Sequence, residues 1–117
     1  MREEIGPAGL VRRMYAAYNE RDAERLLAMV TDDVDWPDGP RRMHGKDALR
    51  DYWTRQWQRV HTHDEAGAIV ALGGGRFQVH IEQTVRTPDG TPVSAGRFRH
   101  TLLLRDGLAA RLDIEAG

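Results

Sequence analysis

The sequence contains no cysteine among its 117 residues. This absence excludes disulfide bonds, thiolate ligands for a metal and a cysteine nucleophile. An excess of charge of one sign is also lacking, because 17 basic and 18 acidic residues leave a formal net charge of -1. We therefore expect no bulk attraction to a polyanion, and no nucleic acid among the partners.

Long apolar runs are absent as well. No stretch approaches the roughly 20 apolar residues that a membrane-spanning helix needs. Residues 1–9 contain Arg2, Glu3 and Glu4 but no apolar segment of signal-peptide length. We expect a protein that is not associated with a membrane, with the cytoplasm as the default compartment. Since a chain of this length can bury one stable core, residues 1–117 are predicted to form a single domain.

Apolar residues recur at helical spacing up to about Val60. Pro7 suits the first turn of a helix, where its missing N–H is not needed, and Asp22 suits the N-cap of a second, short helix. Residues 31–37 are predicted to form a turn and a brief strand, and Gly45 precedes a third helix. The apolar faces of the three helices are predicted to contain Leu10, Val11, Met14, Tyr15 and Tyr18; Leu26, Leu27, Met29 and Val30; and Leu49, Tyr52, Trp53, Gln56, Trp57 and Val60.

Alternation of apolar and polar residues replaces helical spacing from about Ala66 onward. Turns that contain glycine, at residues 73–75, 88–90 and 106–107, interrupt the alternating segments, which is typical of antiparallel hairpins. The order of helices followed by strands predicts the α+β class.

Two polar residues fall on apolar faces of these predicted strands. Gln83 shares the apolar face of strand 77–86, and His100 shares that of strand 97–105. In the last strand, strict alternation places Asp113 on the outer face, although a β-bulge near residues 106–107 would reverse this. Polar groups that point into a curved sheet are candidates for a ligand site.

Three stretches resemble the nuclear-transport-factor-2-like (NTF2-like) superfamily, and within it the SnoaL-like polyketide cyclases and ketosteroid isomerase relatives. They are YAAYNERDAERLLAMVTDDVDW at residues 15–36, HGKDALRDYWTRQW at 44–57 and RHTLLLRDGLAARLDIE at 99–115. The resemblance implies N-terminal helices packed in the concave face of a curved, mostly antiparallel sheet, a cone-shaped α+β barrel. It also implies a homodimer formed through the outer face of the sheet.

The resemblance also implies a set of catalytic residues. SnoaL-like cyclases use an aspartate on the final strand, a histidine on the preceding strand and a tyrosine on the first helix, which correspond here to Asp113, His100 and Tyr15. This places Asp113 inside the pocket, against strict alternation, and we follow the resemblance. The base of the steroid isomerases precedes a proline after the second helix, and Trp36 occupies that position here, which argues against their usual chemistry.

Such a site supports removal of a proton beside a carbonyl group, followed by ring closure or double-bond migration. Asp113 would be the base, since burial raises a carboxyl pKa toward neutrality. His100 would orient the base or donate to the substrate oxygen, and Gln83 or Tyr15 would supply a second donor. The chemistry requires no metal or organic cofactor. A flat apolar wall for an aromatic or polycyclic substrate would come from Trp36, Trp53 and Trp57.

Each of these residues also has a purely structural interpretation. Tyr15 could be a core aromatic residue, and Trp53 and Trp57 could form a packing stripe one helical turn apart. Similarly, Gln83 and His100 could bind backbone groups, and Asp113 could be a solvated partner of Arg111 or Arg99. A non-catalytic small-molecule-binding or dimerisation domain is therefore the alternative function, and a hydrolase or dehydratase also stays open.

Two clusters outside this set have weaker signals. His61 and His63 have the spacing of two metal ligands on one strand. We place them at a helix end, however, with no other ligands near them, so no metal site is expected. The basic residues at 41–46 could face an acidic substrate at the pocket rim, but a solvated loop is the simpler interpretation.

Overall fold

Three helices and six strands make up residues 6–117, which are the residues that the computed structural model describes. Residues 1–5, on which part of the prediction of no signal peptide depends, lie outside this range. The helices are α1 (Gly6–Asn19), α2 (Ala23–Leu27) and α3 (Lys46–Arg59). The strands are β1 (Val30–Asp38), β2 (Arg41–His44), β3 (His61–Gly73), β4 (Arg76–Arg86), β5 (Pro92–Arg105) and β6 (Leu108–Ala116).

The three helices form in the predicted places, but α2 ends at Leu27, so Met29 and Val30, predicted on its apolar face, lie beyond it and Val30 begins β1. In α1 the buried side includes Leu10, Val11 and Met14. The Asp22 carboxylate caps α2 by accepting a hydrogen bond from the Arg25 N–H at 3.1 Å. In the described part of the chain, no helix is both long and apolar enough to cross a membrane.

The six strands form one curved, unclosed sheet in the order β2-β1-β6-β5-β4-β3. The pairing of β1 with β6 is parallel, and the other neighbours are antiparallel. The helices pack on the inner face, where α1 contacts β3 and α3 contacts β1, β2 and β3. This arrangement confirms the predicted α+β class with helices inside a curved sheet. Because the sheet does not close, β2 and β3 are its edges.

Two segments that were expected to lack strand structure are strands. The predicted loop after β1 contains β2, whose Arg42 binds the Asp35 carboxylate at 2.7 Å. The strand β3 begins at His61, five residues before the predicted start, so His61 and His63 lie on a strand that directly follows α3 and its C-cap Val60. The inward residues of this first part of β3 include Thr62 and Asp64, and therefore the apolar alternation that indicates a strand is missing there.

Candidate functional site

A cavity of about 190 Å³ lies between the helices and the inner face of the sheet. Every element except β2 contributes to its wall. The apolar part of the wall includes Met14, Leu26, Trp36, Trp53, Leu102 and Leu112. The polar part consists of Tyr15, Tyr18, Tyr52, Gln56, Asp64, Gln83 and His100. A mostly apolar cavity with a few convergent polar groups is the usual form of a small-molecule site.

Asp64 is the one acidic residue in the wall of this cavity among residues 6–117. It is only 5% exposed, and its Oδ1 accepts a hydrogen bond of 2.9 Å from Nε2 of Gln83, its register partner on β4. No Lys or Arg of the described residues lines the cavity with it. Burial without a cationic partner raises the pKa of the Asp64 carboxyl above its ordinary value.

The backbone of Asp64 is held by the last residue of α1. The Asn19 side-chain amide donates from Nδ2 to the Asp64 carbonyl oxygen at 2.9 Å, and its Oδ1 accepts from the Asp64 N–H at 2.8 Å. Since β3 is an edge strand, it has β4 on one side only, and no strand lies on its other side to bind these backbone groups. The two hydrogen bonds therefore fix the residue that directs a carboxylate into the cavity.

Tyr15 and His100 form a second polar pair in the same wall. The Tyr15 hydroxyl lies 2.6 Å from Nδ1 of His100, and Nε2 of His100 is buried without a hydrogen-bond partner. The hydroxyl binds no other group among residues 6–117, so we assign it as the donor to Nδ1, which leaves the ring proton on Nε2. The pair thus leaves a buried, unpartnered N–H on a residue of the cavity wall.

Burial keeps both members of this pair neutral. It lowers the pKa of His100 to about 4. It also raises the pKa of Tyr15 well above its ordinary value, and the negative charge of Asp64 adds to that rise. The same charge contributes to the raised pKa of Tyr18. The carboxylate and the two tyrosines therefore interact within one cavity.

The prediction that Asp113 faces the pocket is wrong. Its neighbours Leu112 and Ile114 line the cavity, and so Asp113 lies on the outer face of β6, as strict alternation indicates. There its carboxylate accepts hydrogen bonds from Arg111 at 2.8 Å and from Arg42 at 3.2 Å. The Arg111 hydrogen bond holds the pKa of Asp113 below its ordinary value. This is the solvated ion pair of the structural interpretation.

The three tryptophans divide between wall and support. Trp36 and Trp53 line the cavity with their rings edge to face, at a centroid distance of 5.7 Å. Trp57, predicted as part of the wall, does not line it. Instead its ring stacks on Trp53 at 6.1 Å and contacts Tyr18 at 5.8 Å. Its role in the structure is to hold Trp53 in place.

Of the predicted site residues, the structure thus brings Tyr15, His100 and Gln83 to the cavity with two of the tryptophans. Gln83 binds a side chain there and not the backbone group of the structural interpretation. The acidic residue of the cavity wall that the sequence did not indicate is Asp64. Metal ligands are not gathered at the cavity or elsewhere, since residues 6–117 contain no suitable group of three or more His, Asp or Glu side chains.

The curved, unclosed sheet, with helices and a cavity on its inner face, has the NTF2-like fold. Residues 11–112 match the family model of the SnoaL-like domain, and the chain belongs to this family. The predicted family is therefore confirmed. No curated protein matches the chain significantly in sequence.

Solved structures share this fold at low sequence identity. A proposed polyketide cyclase from Xanthomonas campestris pv. campestris has a TM-score of 0.83 and 20% identity, over 94% of this chain and 89% of that one. TerC, crystallised with polyporic acid, has a TM-score of 0.79 and 21% identity, over 94% and 90%. An LEH-like epoxide hydrolase from M. tuberculosis has a TM-score of 0.79 and 16% identity, over 92% and 80%. At these identities the likeness shows the fold, which supports several chemistries.

Proposed function

We propose that this protein is a cofactor-independent acid/base enzyme of the cyclase or isomerase type that acts on a small carbonyl compound. Asp64 is the base in this proposal, and it replaces Asp113. The observation that supports it most directly is a buried carboxylate, without a cationic partner, in a cavity wall that also contains His100 with its unpartnered Nε2–H.

Asp64 removes a proton from the carbon beside the substrate carbonyl. The C–H bond breaks, its electron pair forms the enolate, and the proton moves to the Asp64 carboxylate. A carboxyl whose pKa is raised by burial is a better base near neutral pH than one in water. Gln83 and Asn19 keep the carboxylate in position, because one binds its Oδ1 and the other binds its backbone.

His100 stabilises the charge that develops on the substrate oxygen. Its Nε2–H donates a hydrogen bond to the forming enolate, and Tyr15 holds the ring through Nδ1. With a pKa of about 4, the imidazole is neutral at physiological pH and acts as a donor without transferring its proton.

The enolate has two productive fates in this cavity. In ring closure its carbon attacks a second carbonyl of the same molecule, a C–C bond forms, and the new alkoxide takes the proton from Asp64. In double-bond migration Asp64 returns the proton to a different carbon. A cavity of about 190 Å³ is somewhat larger than the roughly 150 Å³ that holds benzene. We therefore propose that a part of the substrate with one or two small rings enters it, in place of a larger polycyclic system.

The alternative is a domain that binds a small molecule without turnover. A carboxylate without a cationic partner costs free energy to bury, and its placement in a cavity wall is more useful to a catalyst than to a binding site. For this reason we place the enzyme first.

Exchange of carbon-bound protons for deuterium tests the proposal without knowledge of the natural substrate. The probe is 2-indanone in D2O, followed by NMR. Asp64→Asn should lower the protein-dependent exchange rate by about 100-fold or more. Asp113→Asn removes a carboxylate from the outer face and should leave the rate as it is. Loss of exchange in Asp113→Asn alone would restore the assignment made by resemblance, and an active Asp64→Asn would refute the proposal.

A further inference from the structure

We propose that the cavity selects uncharged carbonyl compounds and rejects ligands that bear a carboxylate. This inference rests on the proposed function, because it assigns the same cavity to the substrate. It adds a charge requirement that neither the family nor the fold specifies.

The charges in the cavity wall carry the argument. Asp64 is 5% exposed and binds only the neutral amide of Gln83 through its side chain, among the residues described. The nearest basic group that affects it electrostatically is His63, which points away from the cavity and is engaged with Glu65 at 3.0 Å. A ligand carboxylate would therefore meet a like charge in a water-poor space and find no Lys or Arg of residues 6–117 to pair with.

The remaining polar groups of the wall fit an uncharged acceptor. The Nε2–H of His100 needs a hydrogen-bond acceptor, which a ketone, ester or amide oxygen supplies. The imidazole cannot act as a cationic partner at neutral pH, because burial opposes its protonation. The indole rings of Trp36 and Trp53 offer apolar surface to the rest of the ligand. Each of these contacts favours a neutral, planar molecule.

A pair of probes of nearly the same shape differs in charge and in the hydrogen-bond donors of one substituent. The probes are 4-acetylbenzamide, which is neutral, and 4-acetylbenzoate, which is an anion at pH 8. Each has one ring and two small substituents, in keeping with the cavity volume. Their dissociation constants at pH 8 are measured by NMR titration, in which the resonances of His100, Trp36 and Trp53 report occupancy of this cavity.

The wild-type protein should bind the benzamide at least about tenfold more tightly than the benzoate, because the like charges are close and poorly screened. In Asp64→Asn the preference should fall below about threefold, since the repulsion is gone. Asp51→Asn is the matched control: Asp51 lies on the exposed side of α3, outside the cavity, and its removal changes the net charge equally. Its preference should equal that of the wild type.

Equal binding of both probes to the wild type would overturn the inference. A preference that survives in Asp64→Asn would overturn it as well, and so would failure of the benzamide to bind at this cavity. If Asp64→Asn does not fold, the comparison of the two probes on the wild-type protein still tests the inference. Binding selectivity and proton exchange are separate readouts. Exchange that depends on Asp64 without charge preference refutes only this inference, and charge preference without exchange refutes only the proposed function.

Discussion

At the scale of single residues, Asn19 determines how well Asp64 is held. Asn19→Ala removes both hydrogen bonds to the Asp64 backbone, and we expect the free energy of unfolding to fall by about 1–3 kcal/mol. The carboxylate should then become more hydrated. Because burial is what raises the pKa of Asp64, hydration should move it down toward its ordinary value.

The pH dependence of 2-indanone exchange distinguishes this positioning role from a loss of stability alone. In Asn19→Ala the acidic limb of the profile should shift to lower pH, and the maximal rate should fall by about tenfold. Gln58→Ala, an exposed change in α3, is the control and should leave the profile in place. A profile for Asn19→Ala with the wild-type midpoint would show that Asn19 only stabilises the fold.

The alternation of apolar and polar residues correctly predicted that Gln83 and His100 point inward. It also correctly predicted that Asp113 lies on the outer face, where the family resemblance gave the wrong side. Asp64 could not be found in the same way. Its strand begins with His61 and has Thr62 and Asp64 on its inner face. The inward positions of this part of the strand are therefore polar, and the sequence does not alternate between apolar and polar residues there. A site that replaces the apolar face of a strand also removes the pattern by which that strand is recognised.

At the scale of elements, the turn between β3 and β4 requires a glycine at position 75 more strictly than at position 74. Gly75 has a φ of +80°, and a Cβ there would lie 2.7 Å from the Leu104 carbonyl oxygen. Gly75→Ala should therefore lower the free energy of unfolding by about 2 kcal/mol or more, since it combines backbone strain with a clash. Urea denaturation measures this loss.

The neighbouring Gly74 supplies the control for this experiment. It has a φ of +63°, but a Cβ there would meet nothing within 4 Å. Gly74→Ala should cost only the strain of the left-handed conformation, about 1 kcal/mol. Equal losses in the two variants would mean that the close approach of Leu104 has no energetic importance.

The turns that contain glycine were the easiest elements to predict from the sequence, because a positive φ strongly favours glycine. The structure has turns at all three predicted places. By contrast, β2 has only four residues and begins after a turn at Gly39, and three of its residues are arginine or histidine. Its pairing with β1 depends on contacts such as that between Arg42 and Asp35, which lie outside the reach of local patterns.

At the scale of the whole molecule, buried His100 should make the fold sensitive to acid. Its folded pKa of about 4 lies below the ordinary 6.5, so the unfolded chain binds the extra proton first as the pH falls. The free energy of unfolding should therefore decrease between pH 6.5 and pH 4, by about 3 kcal/mol from this group. Asp64, with its raised pKa, contributes the opposite sign and becomes less unfavourable as it is protonated.

Denaturation with urea at a series of pH values, for the wild type and His100→Gln, separates the two contributions. Asp64 is present in both proteins, so the difference between their pH slopes reports His100. Glutamine keeps an acceptor for the Tyr15 hydroxyl and does not titrate. Parallel curves over this pH window would show that His100 is not buried as a neutral ring.

The global architecture followed from the sequence more readily than the site did. The order of helices and strands, together with the three stretches that resemble the family, was enough for the fold class and for the SnoaL-like assignment. These features depend on many residues, and single errors in β2 or β3 do not change them. The homodimer implied by the resemblance stays a prediction.

The hydrogen bonds that Asn19 makes at β3 also affect what can attach to the molecule. An edge strand with free N–H and C=O groups is a template for a further strand from another chain, which is a common start of aggregation. Here Asn19 occupies both backbone groups of Asp64, and Arg12 donates to the carbonyl oxygens of Ala66 and Gly67. The α1 side chains therefore protect this part of the edge from intermolecular strand pairing, and the residue that secures the proposed base also limits the growth of the sheet.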